Sequence, residues 1–116
     1  MSQTTSQYNI VDGRLVLSNG REVSFPYPVA ESLNFPHAIV VRLDVPPKAH
    51  FNENVFGISY DGKILWQVLP QQHVREESPY TSISYEGSKA GLYNWDATLY
   101  VVEPTTGKVV DKQFLK

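Results

Sequence analysis

The chain is predicted to be all-β, a single domain of antiparallel meanders arranged as an open sandwich or barrel, and three features predict it. One strand-turn-strand phrase is written twice, as Val55-Phe56-Gly57-Ile58-Ser59-Tyr60-Asp61-Gly62-Lys63-Ile64-Leu65-Trp66 and as Leu99-Tyr100-Val101-Val102-Glu103-Pro104-Thr105-Thr106-Gly107-Lys108-Val109-Val110. In both copies an apolar run meets an acidic residue, reverses at a glycine and leaves through Lys into a second apolar run. The Asp12-Gly13 and Asn19-Gly20 pairs punctuate an N-terminal stretch in the same way. From Tyr80 onward the links between apolar runs are too short for anything but up-and-down neighbours.

Taken in order, Tyr8–Val11 and Arg14–Leu17 read as a hairpin on a type I′ turn at Asp12-Gly13. Residues 21–25 form its third strand, with Val23 and Phe25 alternating onto one face, and Pro26 and Pro28 end it. The segment 29–35, fenced by Pro28 and Pro36, is too short for a stable helix and reads as loop. Ala38 to Val45 is the most buried strand, because Ile39, Val41, Leu43 and Val45 share one face while Val40 keeps part of the other apolar; Pro46-Pro47 stops it. The hairpin of residues 54–68 follows, with Trp66 alternating with Ile64 and Val68 as a core residue. Residues 69–79 are the longest polar excursion, and loops of that length are commonly functional. Strands at 80–85, 89–93, 97–103 and 108–114 complete the chain. Residues 1–7 read as a disordered tail and residues 8–116 as one domain.

The phrases Asp61-Gly62-Lys63-Ile64-Leu65-Trp66 and Glu103-Pro104-Thr105-Thr106-Gly107-Lys108 resemble the acidic, Thr-Gly-Lys and Trp motif of the pyrroloquinoline-quinone-type β-propeller repeat. That repeat occurs in quinoprotein dehydrogenases and in propeller scaffold proteins. The match covers the last two strands of each meander, and Asp111 stands where the repeat would place a docking Trp in the second copy. A closed propeller needs about four or more blades, whereas this chain holds two at most. The resemblance therefore implies propeller-blade-like sheets without the ring, and no cofactor residue carries over.

Composition narrows the functions. With 116 residues the chain is one domain by length and buries roughly two-thirds of its extended surface on folding. It has no Cys, which excludes disulfides and thiolate metal sites. Residues 1–7 lack the basic and apolar regions of a secretory signal, so the expected location is cytoplasmic. No apolar run approaches the roughly 20 residues that span a bilayer as a helix, so no membrane partner is expected. The net charge of -2 and the scattered Lys and Arg give no footprint for nucleic acid.

His37, His50 and His73 fall in different loops without the spacing of a metal site, and no cofactor or metal is expected. The Ser-containing strand at 82–84 lacks a nucleophile elbow, and residues 87–91 lack the phosphate-loop pattern. His73 and Arg75 lie with Glu76 and Glu77 in the polar excursion, a loop suited to contacting a partner. The aromatics weigh more. Tyr85, Tyr93 and Trp95 crowd the C-terminal half, and Trp95 sits in the turn Asn94-Trp95-Asp96, where a large ring has no automatic place in a core. The expected function is a non-enzymatic binding or protein-interaction module, with Trp95, Asp96, Tyr93, Tyr85, His73 and Arg75 as its contact residues. The alternative is a small barrel or sandwich enzyme whose cleft is lined by Tyr85, Tyr93 and Trp95, with His73 or Asp96 as base. Incomplete sheets leave open edges, so the expected partner is a protein: another chain, or a second copy in a homo-oligomer.

Overall fold

Asp12 and Gly13 both adopt positive φ, 51° and 76°, the backbone that a type I′ reversal requires. They join β1 (Tyr8–Val11) to β2 (Arg14–Leu17), and β3 (Glu22–Val23) completes a three-stranded sheet. A computed structural model describes residues 8–70 and 78–115. The predicted tail at 1–7, and residues 71–77 with His73 and Arg75, lie outside them. Among the described residues there are eleven strands and no helix, so none is long and apolar enough to cross a membrane.

Two further sheets follow in strict meander order. The first is β4 (Val29–Phe35), β5 (Ala38–Leu43), β6 (Val55–Ile58) and β7 (Ile64–Gln67); the second is β8 (Tyr80–Glu86), β9 (Lys89–Asn94), β10 (Thr98–Val102) and β11 (Val109–Phe114). All pairings are antiparallel. The repeated sequence phrase is the last hairpin of each four-stranded sheet.

The three sheets stack as layers, with the β4–β7 sheet in the middle. Its strand β5 shows why: Ile39, Val41 and Leu43 join Leu15, Leu17, Val23 and Phe56 in one core against the N-terminal sheet. Val40, on the opposite face, joins Leu33, Val55, Tyr80, Leu92 and Tyr100 in a second core against the β8–β11 sheet. A strand buried on both faces must be apolar on both, as residues 38–41 are.

Residues 29–35, expected as loop, form β4. They pair with β5 from Val29 opposite Leu43 to Phe35 opposite Ala38, turning at Pro36-His37. Val29, Leu33 and Phe35 are buried, and a register shift between Val29 and Glu31 turns Val29 to the core against the N-terminal sheet while Leu33 and Phe35 face the other core. The third strand is shorter than expected because only Glu22 and Val23 pair with β2, although Phe25 still reaches the core and packs at 5.1 Å on Phe56. Strand β5 ends at Leu43, leaving Val45 half-buried beyond it. Trp66 and Val68 are core as expected, but Ile64 is exposed. Gly57 faces Trp66 while Ile58 faces Ile64, so Leu65 is the extra residue of a bulge that takes Ile64 off the face of Trp66.

Trp66 ties the last two layers together. Its ring lies against Gly57 and against Gly107 in the β10–β11 turn, where an added Cβ would meet the indole at 2.0 Å and 2.6 Å respectively. Its Nε1 donates to Pro104 O at 2.7 Å, so the first copy of the phrase docks on the turn of the second.

The N-terminal meander closes no barrel: it covers the face of the middle sheet opposite the β8–β11 sheet, and Val29 N at the start of β4 donates to Gly13 O at 2.9 Å. Strand β4 lies beside β8, and Trp66 of β7 reaches the β10–β11 turn, so β7 and β11 edge the same flank.

Candidate functional site

Asn54, Ser78, Asn94 and Thr98 are the buried polar residues among those described, and they gather at one end of the two stacked four-stranded sheets. The backbone there explains them. Strand β5 stops ahead of Pro46-Pro47 and β8 starts after Pro79, so regular ladders end and their carbonyls need other donors. The Asn54 carboxamide donates to Leu43 O at 2.9 Å and to Tyr80 O at 3.0 Å, and accepts from Tyr80 N at 2.8 Å. One side chain thereby staples the end of β5 to the start of β8, across the two sheets. Asn94, at the end of β9, ties down the segment that leads into β8: Nδ2 donates to Ser78 O at 2.9 Å, and Oδ1 accepts from the Ser78 hydroxyl and from Asp96 N. Fully satisfied buried networks of this kind hold one geometry.

The turn after β9 is fixed by the same groups. Trp95 N donates to Pro79 O at 3.0 Å, Ala97 N to Asn94 O at 3.0 Å and Thr98 N to Asp96 Oδ1 at 3.1 Å. Ala97 takes φ 68°, a left-handed conformation that costs a non-glycine residue on the order of 1–3 kcal/mol. The outcome is an indole that is 57% exposed on a turn with little freedom to fold it away.

Between this turn and the end of β5 lies a cleft of about 620 Å³, lined chiefly by Arg42, Asp44, Pro46, Pro47, Pro79 and Trp95. That volume is in the range of small-molecule and peptide sites. Arg42 Nε donates to Glu31 Oε2 at 2.5 Å in an ion pair. Tyr80 also belongs to the lining. It is buried edge-on to Tyr100 at 5.8 Å, and its hydroxyl has no partner in hydrogen-bond geometry among the described residues. Burial, reinforced by Tyr100 and Asp96, raises the Tyr80 pKa far above that of a free phenol, and burial raises that of Tyr100 as well.

The expected contact residues are divided. Trp95 lines the cleft, and Asp96 beside it is half-buried and caps its own turn through Thr98 N. Tyr93 follows the buried Leu92 on β9 and therefore points to the outer face of the last sheet. Tyr85 sits five residues along β8 from Tyr80, roughly 16 Å at strand rise. There its ring meets Phe35 at 5.2 Å, and its hydroxyl accepts from Asn34 N at 3.0 Å. The structure thus unites Trp95 with Asp96 and places the two tyrosines elsewhere. Arg42, Asp44, Asn54 and the three prolines, none of them among the expected contact residues, complete the site. Their signal was the prolines that end β5 and precede β8, together with an asparagine at the mouth of a strand. Among the described residues no three or more His, Asp or Glu side chains gather as a metal site.

Fold and site define an all-β domain of three stacked antiparallel sheets with a braced cleft at one end. Residues 5–114 match the model of a domain of unknown function, DUF7957, and the chain belongs to that family. A search of the curated proteins finds no match.

Proposed function

We propose that this chain is a non-enzymatic, cytoplasmic binding module that takes a segment of a partner protein in the Trp95 cleft. One observation carries the reading: a largely exposed indole is held by a strained, hydrogen-bonded turn on the wall of a cleft whose other walls are stapled in place. Tryptophans anchored this way are the usual centres of binding energy, because the ring brings a large area with few rotors to freeze. Panning a phage-displayed random peptide library on the wild-type protein, with depletion on Trp95→Ala, tests it. Enriched peptides should bind wild type and lose at least tenfold in affinity on the variant, while the thermal midpoint stays put. A library that yields no Trp95-dependent peptide overturns the reading.

A second contact, self-association through sheet edges, is supported by β11. Every residue of this strand is exposed, Val109, Val110 and Phe114 included, and Ile64 and Leu65 of β7 are exposed on the same flank. Sedimentation at rising concentration should show a dimer that Val110→Lys dissociates; a monomer at all concentrations rejects it.

A further inference from the structure

Two opposite charges line the cleft, and they differ in how they are paired. Arg42 is paired through Nε with Glu31, its cross-strand neighbour on β4, with the two side chains 15% and 35% exposed. Asp44 differs. Its backbone N–H is engaged on Pro28 O at 2.8 Å, but its carboxylate makes no hydrogen bond or ion pair among the described residues. The same cleft presents Trp95. An indole face attracts a cation through its quadrupole, and a carboxylate gives that cation a charge-assisted hydrogen bond, so together they select an organic cation over an anion or a neutral group. The net charge of -2 on the whole chain acts in the same direction.

The wall between the two groups decides what carries the cation. Pro46, Pro47 and Pro79 offer rigid apolar surface without N–H donors, and Asp44, Pro46, Pro47 and Trp95 are all exposed along the rim. An open trough of aromatic and proline surface suits an extended, polyproline-like segment lying along it by apolar contact.

Building on the binding-module reading, we infer that the cleft recognises a Lys or Arg side chain carried on an extended, proline-containing protein segment, its cation shared by Trp95 and Asp44. The probes are acetyl-Pro-Pro-Arg-Pro-Pro-amide, the same peptide with citrulline for arginine, and butylguanidinium alone, each titrated into the isotope-labelled full chain. The arginine peptide should move the indole N–H resonance of Trp95 and leave that of Trp66 in place. Citrulline should weaken binding at least tenfold, and Asp44→Asn should weaken the arginine peptide to a similar degree without moving the thermal midpoint. Equal binding of the citrulline peptide, or undiminished binding by Asp44→Asn, overturns the inference. Butylguanidinium binding as tightly as the peptide overturns the assignment to a protein segment. Trp95-dependent library peptides without Lys or Arg would defeat this inference while leaving the binding module standing.

Discussion

The two four-stranded sheets have the same strand order and the same closing hairpin, yet among the described residues one lies between two sheets and the other packs against a sheet on one face. The difference is concentrated at equivalent positions of the repeated phrase. Four residues past its turn glycine, the first copy has Trp66, which crosses to the next sheet and fastens on Pro104 and Gly107. The second copy has Asp111, exposed on β11 opposite Val101, on the face turned away from the middle sheet. The outward face around it also carries the Lys89–Glu103 ion pair at 2.8 Å. An aromatic at this position couples layers, and a carboxylate ends the stack.

Breaking the coupling gives the largest effect. Trp66→Ala should destabilise the fold by about 3–5 kcal/mol in equilibrium urea unfolding, since it removes a buried indole and leaves the Pro104 carbonyl without its donor. Asn54→Ala comes next, at about 2–3 kcal/mol by the same measurement, because three backbone groups spanning the two sheets lose their partners. Tyr80→Phe acts in the other direction. It removes a buried hydroxyl that has no partner among the described residues, and should raise stability by about 1 kcal/mol at neutral pH. The folded-state pKa of Tyr80 lies above its unfolded value near 10, so stability gained by holding the phenol neutral is complete below that pH and is lost as pH climbs toward the folded value. Thermal midpoints of the wild type should therefore fall more steeply than those of the variant above about pH 10. Asp111→Trp sharpens the comparison with almost no cost to the monomer: an exposed ring on the outer face should appear as concentration-dependent association in sedimentation.

The strands with uninterrupted patterns were legible from sequence, and β5 most of all, since its apolar residues on both faces announced a central strand. The Asp-Gly reversal and the short links after Tyr80 gave the meander order. Strand β4 was hidden for a physical reason: polar Glu31 stands at the alternating position between Val29 and Leu33, the bulge sends Val29 to one core and Leu33 and Phe35 to the other, and its flanking prolines imitate loop boundaries. At the site, Trp95 and Asp96 could be chosen because a large ring in a tight turn is anomalous on its face. Arg42, Asp44 and Asn54 could not, because their importance comes from two sheets meeting, and Asn54 lies 26 positions from the Tyr80 it staples. Tyr85 and Tyr93 looked equivalent to Trp95 in a list of aromatics, but strand alternation and distance along β8 send them to other surfaces.

The carboxamide staples at Asn54 and Asn94 have a kinetic consequence. Their hydrogen bonds are already formed in the free protein, so the described walls of the cleft lose little further conformational entropy when a ligand arrives. Association should then proceed without a slow rearrangement of those walls, and variants of a single ligand should differ chiefly in how long they stay bound.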